Sequence, residues 1–182
     1  MGYSGRTACA VALLATLPGC DEKTREPVPL RAAILLDVDG MHGGRNVWLA
    51  EDGTAVIQVI GHSGPHGLPE TRYRVACGKA SVTEAERLAG AHRFLDLRLK
   101  LTRSGLPGSS APLVALLTKD GGQSTSIKWE RDNEPDFDPL YAQLYHLSVT
   151  PPDVALIQEY IFDWDWHPDG FPPPNEIRSW SR

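Results

Sequence analysis

Two apolar runs on either side of an Asp-Gly pair constrain the fold more than any other feature of the chain. Residues 46–50 (NVWLA) and 54–61 (TAVIQVIG) are rich in β-branched and aromatic side chains, and they flank Glu51-Asp52-Gly53. An Asp-Gly pair between two such runs is a strong signal for a β-hairpin. The first half of the chain is therefore expected to contain an antiparallel sheet.

Three further segments have the pattern of strands. Residues 31–38 (RAAILLDV) form an apolar run of strand length, and residues 70–77 (ETRYRVAC) alternate between apolar and polar side chains. Residues 111–130 read as a second hairpin that turns at Lys119-Asp120-Gly121-Gly122. Alternation with a period of two is typical of a strand with one face in water.

Two segments have helical spacing instead. Ser81 and Glu84 have the spacing of a capping box, and apolar residues recur every three or four positions up to His92, which predicts a helix over 81–92. A second helix is predicted in residues 137–147 (FDPLYAQLYHL), where Pro139 suits a first helical turn. The sequence thus predicts an α+β fold, with a single antiparallel sheet built from hairpins and two helices packed on one face.

The last part of the chain alternates aromatic and acidic residues and then becomes rich in proline. The alternation in residues 157–166 (IQEYIFDWDW) predicts a strand from about Ile157 to Trp164. The following HPDGFPPPN has the composition of a polyproline-like exit segment. We therefore expect the α+β domain to cover residues 30–167 and a Pro-rich C-terminal tail to cover residues 168–182.

The N-terminus carries a short apolar run. Residues 7–17 are small and apolar, and Arg6 is the one charged residue before them. A membrane-spanning helix needs about 20 apolar residues, so a run of half that length predicts a signal peptide over residues 1–19.

Leu17-Pro18-Gly19-Cys20 resembles the lipobox of bacterial lipoproteins. The resemblance implies that Cys20 becomes the lipidated first residue of the mature chain, held to a membrane by two or more acyl chains. The alternative is an ordinary signal peptide whose removal leaves Cys20 free. Residues 21–29 (DEKTREPVP) are charged and lack periodicity, so residues 20–29 are expected to form the lipidated cysteine and its tether.

The order of elements also resembles a loosely defined group of bacterial lipoprotein domains of unknown function. The resemblance covers roughly residues 39–147: the hairpin GGRNVWLAEDGTAVIQV, the segment VTEAERLAGAHRFLDL, a second hairpin and a short closing helix. It implies a fold and a location in the cell envelope, and it brings no catalytic residues with it.

Charge and cysteine content narrow the class of protein further. After residue 19 the chain keeps 17 basic and 23 acidic residues, so a nucleic-acid partner, which would require a basic surface, is not expected. Of the three cysteines, Cys9 lies in the signal and Cys20 would be acylated, so Cys77 would have no partner for an internal disulfide. Cys77 is expected to be a small buried side chain, with a role as a nucleophile as the alternative.

The segment DWDWH offers the most suggestive site residues. On a strand, Asp163, Asp165 and His167 would share one face, where they could hold a divalent ion. Trp164 and Trp166 would share the other face and could form a stacking platform for a sugar ring. The competing interpretations are a charged strand edge for the first set and core packing for the tryptophans.

Other polar pairs give weaker signals. His62 and His66 stand four residues apart, but the glycines and the proline around them predict a loop rather than the helix that a zinc pair would need. Asp37 and Asp39 could form a carboxylate pair, although the end of a strand followed by a turn also accounts for them. The chain contains no Gly-x-Ser-x-Gly elbow, no Walker-type loop and no His-Glu-x-x-His.

Taken together, these patterns favour an exported protein attached to a membrane by an N-terminal lipid, on the periplasmic or outer-surface side. Its domain is expected to bind a glycan or another envelope protein through Trp164 and Trp166, without catalysis, cofactor or metal. The alternative is a metal-dependent envelope hydrolase that uses Asp163, Asp165 and His167.

Overall fold

A computed structural model describes residues 25–65, 67–101, 109–149 and 155–180. These residues form one antiparallel sheet of seven strands in the order β6-β5-β1-β2-β3-β4-β7. The strands are β1 (Leu30–Asp39), β2 (Gly43–Ala50), β3 (Thr54–Ile60), β4 (Pro69–Ala76), β5 (Leu113–Thr118), β6 (Gln123–Ile127) and β7 (Ala155–Ile161).

Both predicted hairpins are present. β2 and β3 pair around the predicted Asp-Gly turn, with Trp48 opposite Val56. Gly53 in that turn has a φ of +87°, and a Cβ atom there would lie 2.5 Å from the carbonyl carbon of Gly78. The turn therefore needs glycine both for its backbone conformation and for the close approach of the chain after β4. The second hairpin joins β5 to β6 around Lys119–Gly122, as predicted.

Two helices cover one face of the sheet, which we call the helical face. They are α1 (Lys79–Ala91) and α2 (Asp138–Val149). Each helix end lies within two residues of its predicted position. The apolar core between helices and sheet includes Leu35, Val47, Ile57, Ala85, Leu88, Phe94, Val114, Phe137, Leu140 and Leu144. The prediction of an α+β fold with a single antiparallel sheet is confirmed.

The predicted capping box at the start of α1 is wrong. The helix begins two residues earlier, after Gly78, and the Ser81 hydroxyl donates to the carbonyl oxygen of Cys77 at 3.0 Å. Glu84 pairs with Arg87 at 2.6 Å instead of reaching back to the helix start. The glycine at 78, with a φ of +76°, turns the chain from β4 directly into the helix, so the hydroxyl meets a carbonyl group that precedes it.

The second face of the sheet, which we call the tail face, is covered by the C-terminal segment. Its apolar side chains come from alternate positions of β1, β2, β3 and β5, for example Ile34, Leu36, Trp48, Val56 and Leu113. Trp166, Phe171, Trp180 and the fully buried Ile177 pack against them. Ile177 belongs to a short helix, α3 (Pro174–Ser179). The Pro-rich segment, expected to leave the fold as a tail, instead packs on the tail face through Phe171, Ile177 and Trp180.

Strand β7 exists, but it ends earlier than predicted. It spans Ala155–Ile161 rather than about Ile157 to Trp164. The Phe162 N–H still donates to Leu68 on the β4 side at 2.8 Å, whereas the Asp163 N–H donates to the Glu70 carboxylate at 3.2 Å. This side-chain acceptor turns the chain away from the sheet edge and onto the tail face.

The segment before β1, expected to act as a tether, lies along α1. The Val28 N–H donates to the Glu86 carbonyl oxygen at 3.1 Å, and the Leu30 N–H donates to the Glu86 carboxylate at 2.9 Å. Arg25 donates to the Ala91 carbonyl oxygen at 3.0 Å. Residues 25–29 are therefore fastened to the domain. Cys20 and the predicted signal peptide lie outside the described residues.

Candidate functional site

Three exposed apolar side chains lie at the end of the sheet where β1 and β7 finish. Met41 in the β1–β2 turn is 63% exposed, Ile161 at the end of β7 is 68% exposed, and Trp164 is 46% exposed. We call these three residues the end patch. Large apolar side chains exposed near one another are a common mark of an interaction site.

Backbone contacts bring the end patch together. A Cβ atom on Gly40 would lie 3.8 Å from Cζ2 of Trp164, so the indole lies beside the β1–β2 turn. A Cβ atom on Gly67 would lie 3.4 Å from Cγ2 of Ile161, which places Ile161 beside the β3–β4 loop. The Ser63 N–H of that loop donates to the Met41 carbonyl oxygen at 3.3 Å. The turn, the loop and the end of β7 thus form one surface.

Two histidines border the end patch. The rings of His42 and His62 meet edge to face with their centroids 6.2 Å apart, and Nδ1 of His42 lies 3.4 Å from Asp39. Asp39 accepts hydrogen bonds from the N–H groups of Met41 and His42, and these bonds lower the pKa of its carboxyl group. The predicted partner of His62, His66, lies outside the described residues.

The expected metal ligands do not share a strand face, because β7 has already ended. Asp163 accepts the N–H of Asp165 at 2.9 Å, and Nδ1 of His167 lies 3.0 Å from the carbonyl oxygen of Asp165. These hydrogen bonds stay within a local turn formed by residues 163–167. Within the described residues, no group of three His, Cys, Asp or Glu side chains is arranged to hold a metal ion. The predicted shared face for Asp163, Asp165 and His167 is therefore wrong.

The two tryptophans of the same segment separate instead of forming a platform. Trp164 packs in a T-shaped arrangement on Phe162, with centroids 4.6 Å apart, and stays half exposed. Trp166 turns to the tail face, where its ring meets Trp48 edge to face at 5.5 Å. A turn does not impose the period of two that would have kept both side chains on one face. A two-ring sugar platform is thus not present.

Beneath Trp166, four polar side chains form a buried chain across β2, β3 and β4. Asn46 donates to Gln58 at 2.7 Å, and Gln58 donates to Glu70 at 2.7 Å. Glu70 also forms an ion pair with Arg72. All four residues are at most 7% exposed. Each one satisfies the next in an apolar setting, which offsets part of the cost of removing them from water.

The sequence reasoning missed this buried chain, although a signal for it was present. Gln58 is an isolated polar residue inside the apolar run TAVIQVI. A single amide in a strand that is otherwise apolar requires a buried hydrogen-bond partner. One partner, Asn46, lies directly opposite Gln58 on β2. The other, Glu70, lies diagonally on β4, two residues from Arg72, which is the residue opposite Gln58.

Asp37 and Asp39 do not form a carboxylate pair. Asp37 is 8% exposed and accepts a hydrogen bond from the Tyr141 hydroxyl of α2 at 2.9 Å, whereas Asp39 bonds the turn. Burial raises the pKa of the Asp37 carboxyl group, although the bonds from Tyr141 and Ser110 partly oppose this effect. Burial and the nearby Asp37 carboxylate raise the pKa of Tyr141. This pair fixes α2 to β1.

Cations flank the aromatic side of α2. Lys128 is 2.7 Å from Asp138 and lies 5.6 Å from the centroid of the Phe137 ring, and Arg45 lies 5.2 Å from the Tyr145 centroid. Arg45 also donates to the Ser148 hydroxyl at 3.3 Å. These contacts hold α2 across the strands from the end of β6 to β2. The nearly buried Lys128 ammonium thus has a carboxylate and an aromatic ring as partners within the fold.

The remaining candidates do not gather reactive groups. Cys77 is half-buried, and burial raises the pKa of its thiol, which disfavours the reactive thiolate. An open groove of about 310 Å³ lies at the opposite end of the sheet, between Glu51, Asp52, Asp169 and Phe171. Glu51 at its edge pairs with Lys119 at 3.4 Å.

Comparisons with known proteins add no family. No protein-family model matches the chain, and no curated protein or solved structure matches it significantly. Among the described residues, no helix has the length and hydropathy needed to cross a membrane.

Proposed function

We propose that this chain is a lipid-anchored protein of the bacterial cell envelope whose domain binds another envelope protein through the end patch. The observation that carries the proposal is the joint exposure of Met41, Ile161 and Trp164 at one end of the sheet. Tryptophan and methionine are enriched in the buried centres of protein interfaces, which suits this composition. The domain acts by binding, without covalent chemistry.

The chemistry of the end patch favours a protein partner over a glycan. Sugar recognition uses flat aromatic faces with polar groups beside them. Here Trp164 packs against Phe162, and Trp166, which was expected to lie beside Trp164, is on the tail face. Met41 and Ile161 contribute apolar side chains that offer a sugar no hydrogen bonds. An apolar side chain of a protein partner can pack against both.

The position of the end patch suits a protein held at its N-terminus. The chain enters the sheet at Leu30, and the end patch lies beyond Asp39 at the other end of β1. Ten residues of strand span about 30 Å. A lipid on Cys20 would attach the chain ahead of Leu30, so the end patch would face away from that point of entry.

Site-specific photocrosslinking in intact cells tests the binding function. A photoreactive residue at His42, beside the end patch, should form a discrete adduct with one partner, whereas the same residue at Lys79, at the other end of the sheet, should not. The substitution Trp164→Ser should abolish the adduct at position 42. Equal adducts at positions 42 and 79, or an adduct unaffected by Trp164→Ser, would reject the end patch as the binding surface.

Detergent-phase partitioning tests the lipid anchor separately. The unaltered protein should enter the detergent phase, and Cys20→Ser should move it to the aqueous phase because the acyl chains supply the membrane affinity. Intact-mass measurement should find a chain that begins at an acylated Cys20. An unmodified amino terminus at Met1 on protein recovered from cells would refute the anchor without affecting the crosslinking result.

A further inference from the structure

The two edges of the sheet differ in how they are covered. Along β6, the Ile127 N–H donates to the Leu99 carbonyl oxygen at 3.3 Å, and the Ser126 hydroxyl donates to the Leu97 carbonyl oxygen at 3.0 Å. The segment after α1 therefore runs along this edge. At the other edge, β7 has β4 as its single strand neighbour within the described part of the chain. An uncovered edge presents backbone groups to any strand that can pair with them.

The direction of the N–H groups on β7 follows from its pairing with β4. The Phe162 N–H points toward β4, because it donates to Leu68. The register from Ile161 to Gln158 is regular, so the N–H groups of Tyr160 and Gln158 point the same way. Those of Ile161 and Glu159 point outward. Pro69, which has no N–H, stands opposite Ile161, which is consistent with this assignment.

The regular part of this edge carries few devices against pairing. Residues 158–161 contain no proline and no lysine, and Glu159 is their one charged residue. The register shift between Arg72 and Tyr73 lies beside residue 157, so the regular part of the edge begins at Gln158. Exposed edges are normally protected by lysine, proline or a bulge within the exposed stretch.

The described residues that flank segments 20–24 and 102–108 lie near the opposite edge of the sheet. Arg25 is held at the C-terminal end of α1, which lies near β6, and six strand spacings of about 4.8 Å separate β6 from β7 by roughly 29 Å. If the mature chain begins at Cys20, as in the proposed function, residues 20–24 span at most about 17 Å. Leu99 and Ser110, which flank residues 102–108 in sequence, are bonded near β6 to the N–H groups of Ile127 and Glu130.

We propose that β7 pairs with β7 of a second copy of this chain, in antiparallel orientation, to form a two-fold symmetric dimer with one continuous sheet. A two-fold axis at Tyr160 places Glu159 opposite Ile161 of the other copy, so that both outward N–H groups find carbonyl acceptors. In this register Glu159 does not pair with Glu159 of the other copy. Among the described residues, β7 is the one sheet edge that no other segment covers, so the pairing closes at two copies and does not extend into a fibre.

Sedimentation of the mature chain carrying Cys20→Ser tests the dimer. The protein should show twice the monomer mass at concentrations of about 100 µM, because a short strand pair gives modest affinity. Glu159→Pro should give a folded monomer: it removes an outward N–H and leaves the β4 ladder intact. Glu159→Gln, which keeps the N–H, should remain dimeric. A monomeric parent protein, or a Glu159→Pro variant that folds and still dimerises, would overturn the proposal.

A covalent test in cells uses the position of the two-fold axis. In a Cys77→Ala background, Tyr160→Cys should give a disulfide-linked dimer under mild oxidation, because directly opposed residues in a non-hydrogen-bonded pair lie within disulfide range. Lys79→Cys in the same background should not. Trp164→Ser should leave the dimer intact while it abolishes crosslinking at the end patch. Loss of the dimer with Trp164→Ser would instead assign self-association to the end patch.

Discussion

The guanidinium carbon of Arg72 lies 3.7 Å from the centroid of the Trp166 ring. Arg72 belongs to the middle of β4, and Trp166 belongs to the segment that follows β7. The indole thus covers a cation that also forms an ion pair with Glu70. One contact therefore joins the buried polar chain to the C-terminal segment, and it explains why that segment stays on the sheet.

The negative charge of Glu70 should contribute more to the free energy of unfolding than the hydrogen bonds that a glutamine of the same size could also form. Glu70→Gln keeps the side-chain size but leaves the buried Arg72 without its carboxylate, so we expect a loss of about 3 kcal/mol in the free energy of unfolding. Glu84→Gln, which breaks the exposed pair with Arg87, should cost about 0.5 kcal/mol or less. Chemical denaturation measures both. Equal losses would show that the buried pair carries no special stability.

Truncation of Trp166 should affect stability far more than truncation of Trp164. Trp166→Ala removes the ring that contacts Arg72 and Trp48, so it should cost about 3 kcal/mol and speed proteolysis within residues 162–180. Trp164→Ala removes a half-exposed ring, so it should change stability by about 0.5 kcal/mol. Thermal melts and limited proteolysis compare the two variants. A larger effect at Trp164 would contradict the assignment of Trp166 to the core.

Ionisation of the buried Asp37 carboxyl group should lower the stability of the fold as pH rises. Its pKa is raised by burial, so its contribution to stability is fully present below the unfolded pKa and is lost as pH rises through the folded pKa. Asp37→Asn should therefore be more favourable, relative to the unaltered chain, at pH 7 than at pH 3. Denaturant titrations at the two pH values measure this difference.

Asp39 provides a control of opposite sign for that experiment. The Met41 N–H lowers the pKa of Asp39, so its contribution is present above the unfolded pKa and is lost as pH falls. Asp39→Asn should therefore cost more stability at pH 7 than at pH 3. The same sign of pH dependence for both variants would show that burial does not govern Asp37.

Gly90 should be required for the segment before β1 to lie on α1. A Cβ atom at this position would lie 2.2 Å from the carbonyl oxygen of Glu26. Gly90→Ala should displace residues 25–29 and speed hydrogen exchange at the Val28 N–H, although alanine favours helix by about 1 kcal/mol. Thr83→Ala, on an exposed position of the same helix, should not affect Val28. Unchanged exchange at Val28 in Gly90→Ala would show that the segment tolerates the methyl group.

The elements of this fold could be predicted because their signals are local. The Asp-Gly pair at 52–53 and the Gly-Gly pair at 121–122 mark turns whatever surrounds them, and the spacing of Val82, Ala85 and Leu88 marks a helix. Errors appear at element ends. The end of β7 depends on Glu70, which captures the Asp163 N–H from a position 93 residues away in sequence.

The candidate site was less predictable than the fold. Trp164 and Trp166 were singled out together, but the turn separates them, and one of them joins the core while the other stays exposed. No local sequence pattern marks Met41 or Ile161 as site residues. They come together because the sheet topology places the β1–β2 turn, the β3–β4 loop and the end of β7 at one end of the sheet. The continuous apolar run 32–36 of β1 is a pattern typical of burial on both faces, and it could have pointed to a second covering layer.

The sequence by itself determined the turns, the periodicities and hence a single antiparallel sheet with two helices, because turn chemistry and side-chain spacing act over a few residues. Only the tertiary structure decided what covers the tail face and which polar residues are buried together. Those outcomes depend on the pairing of Asn46, Gln58, Glu70 and Arg72 across three strands and on their cover by Trp166. The free energy of such contacts exists only when segments far apart in the chain exclude water from one another.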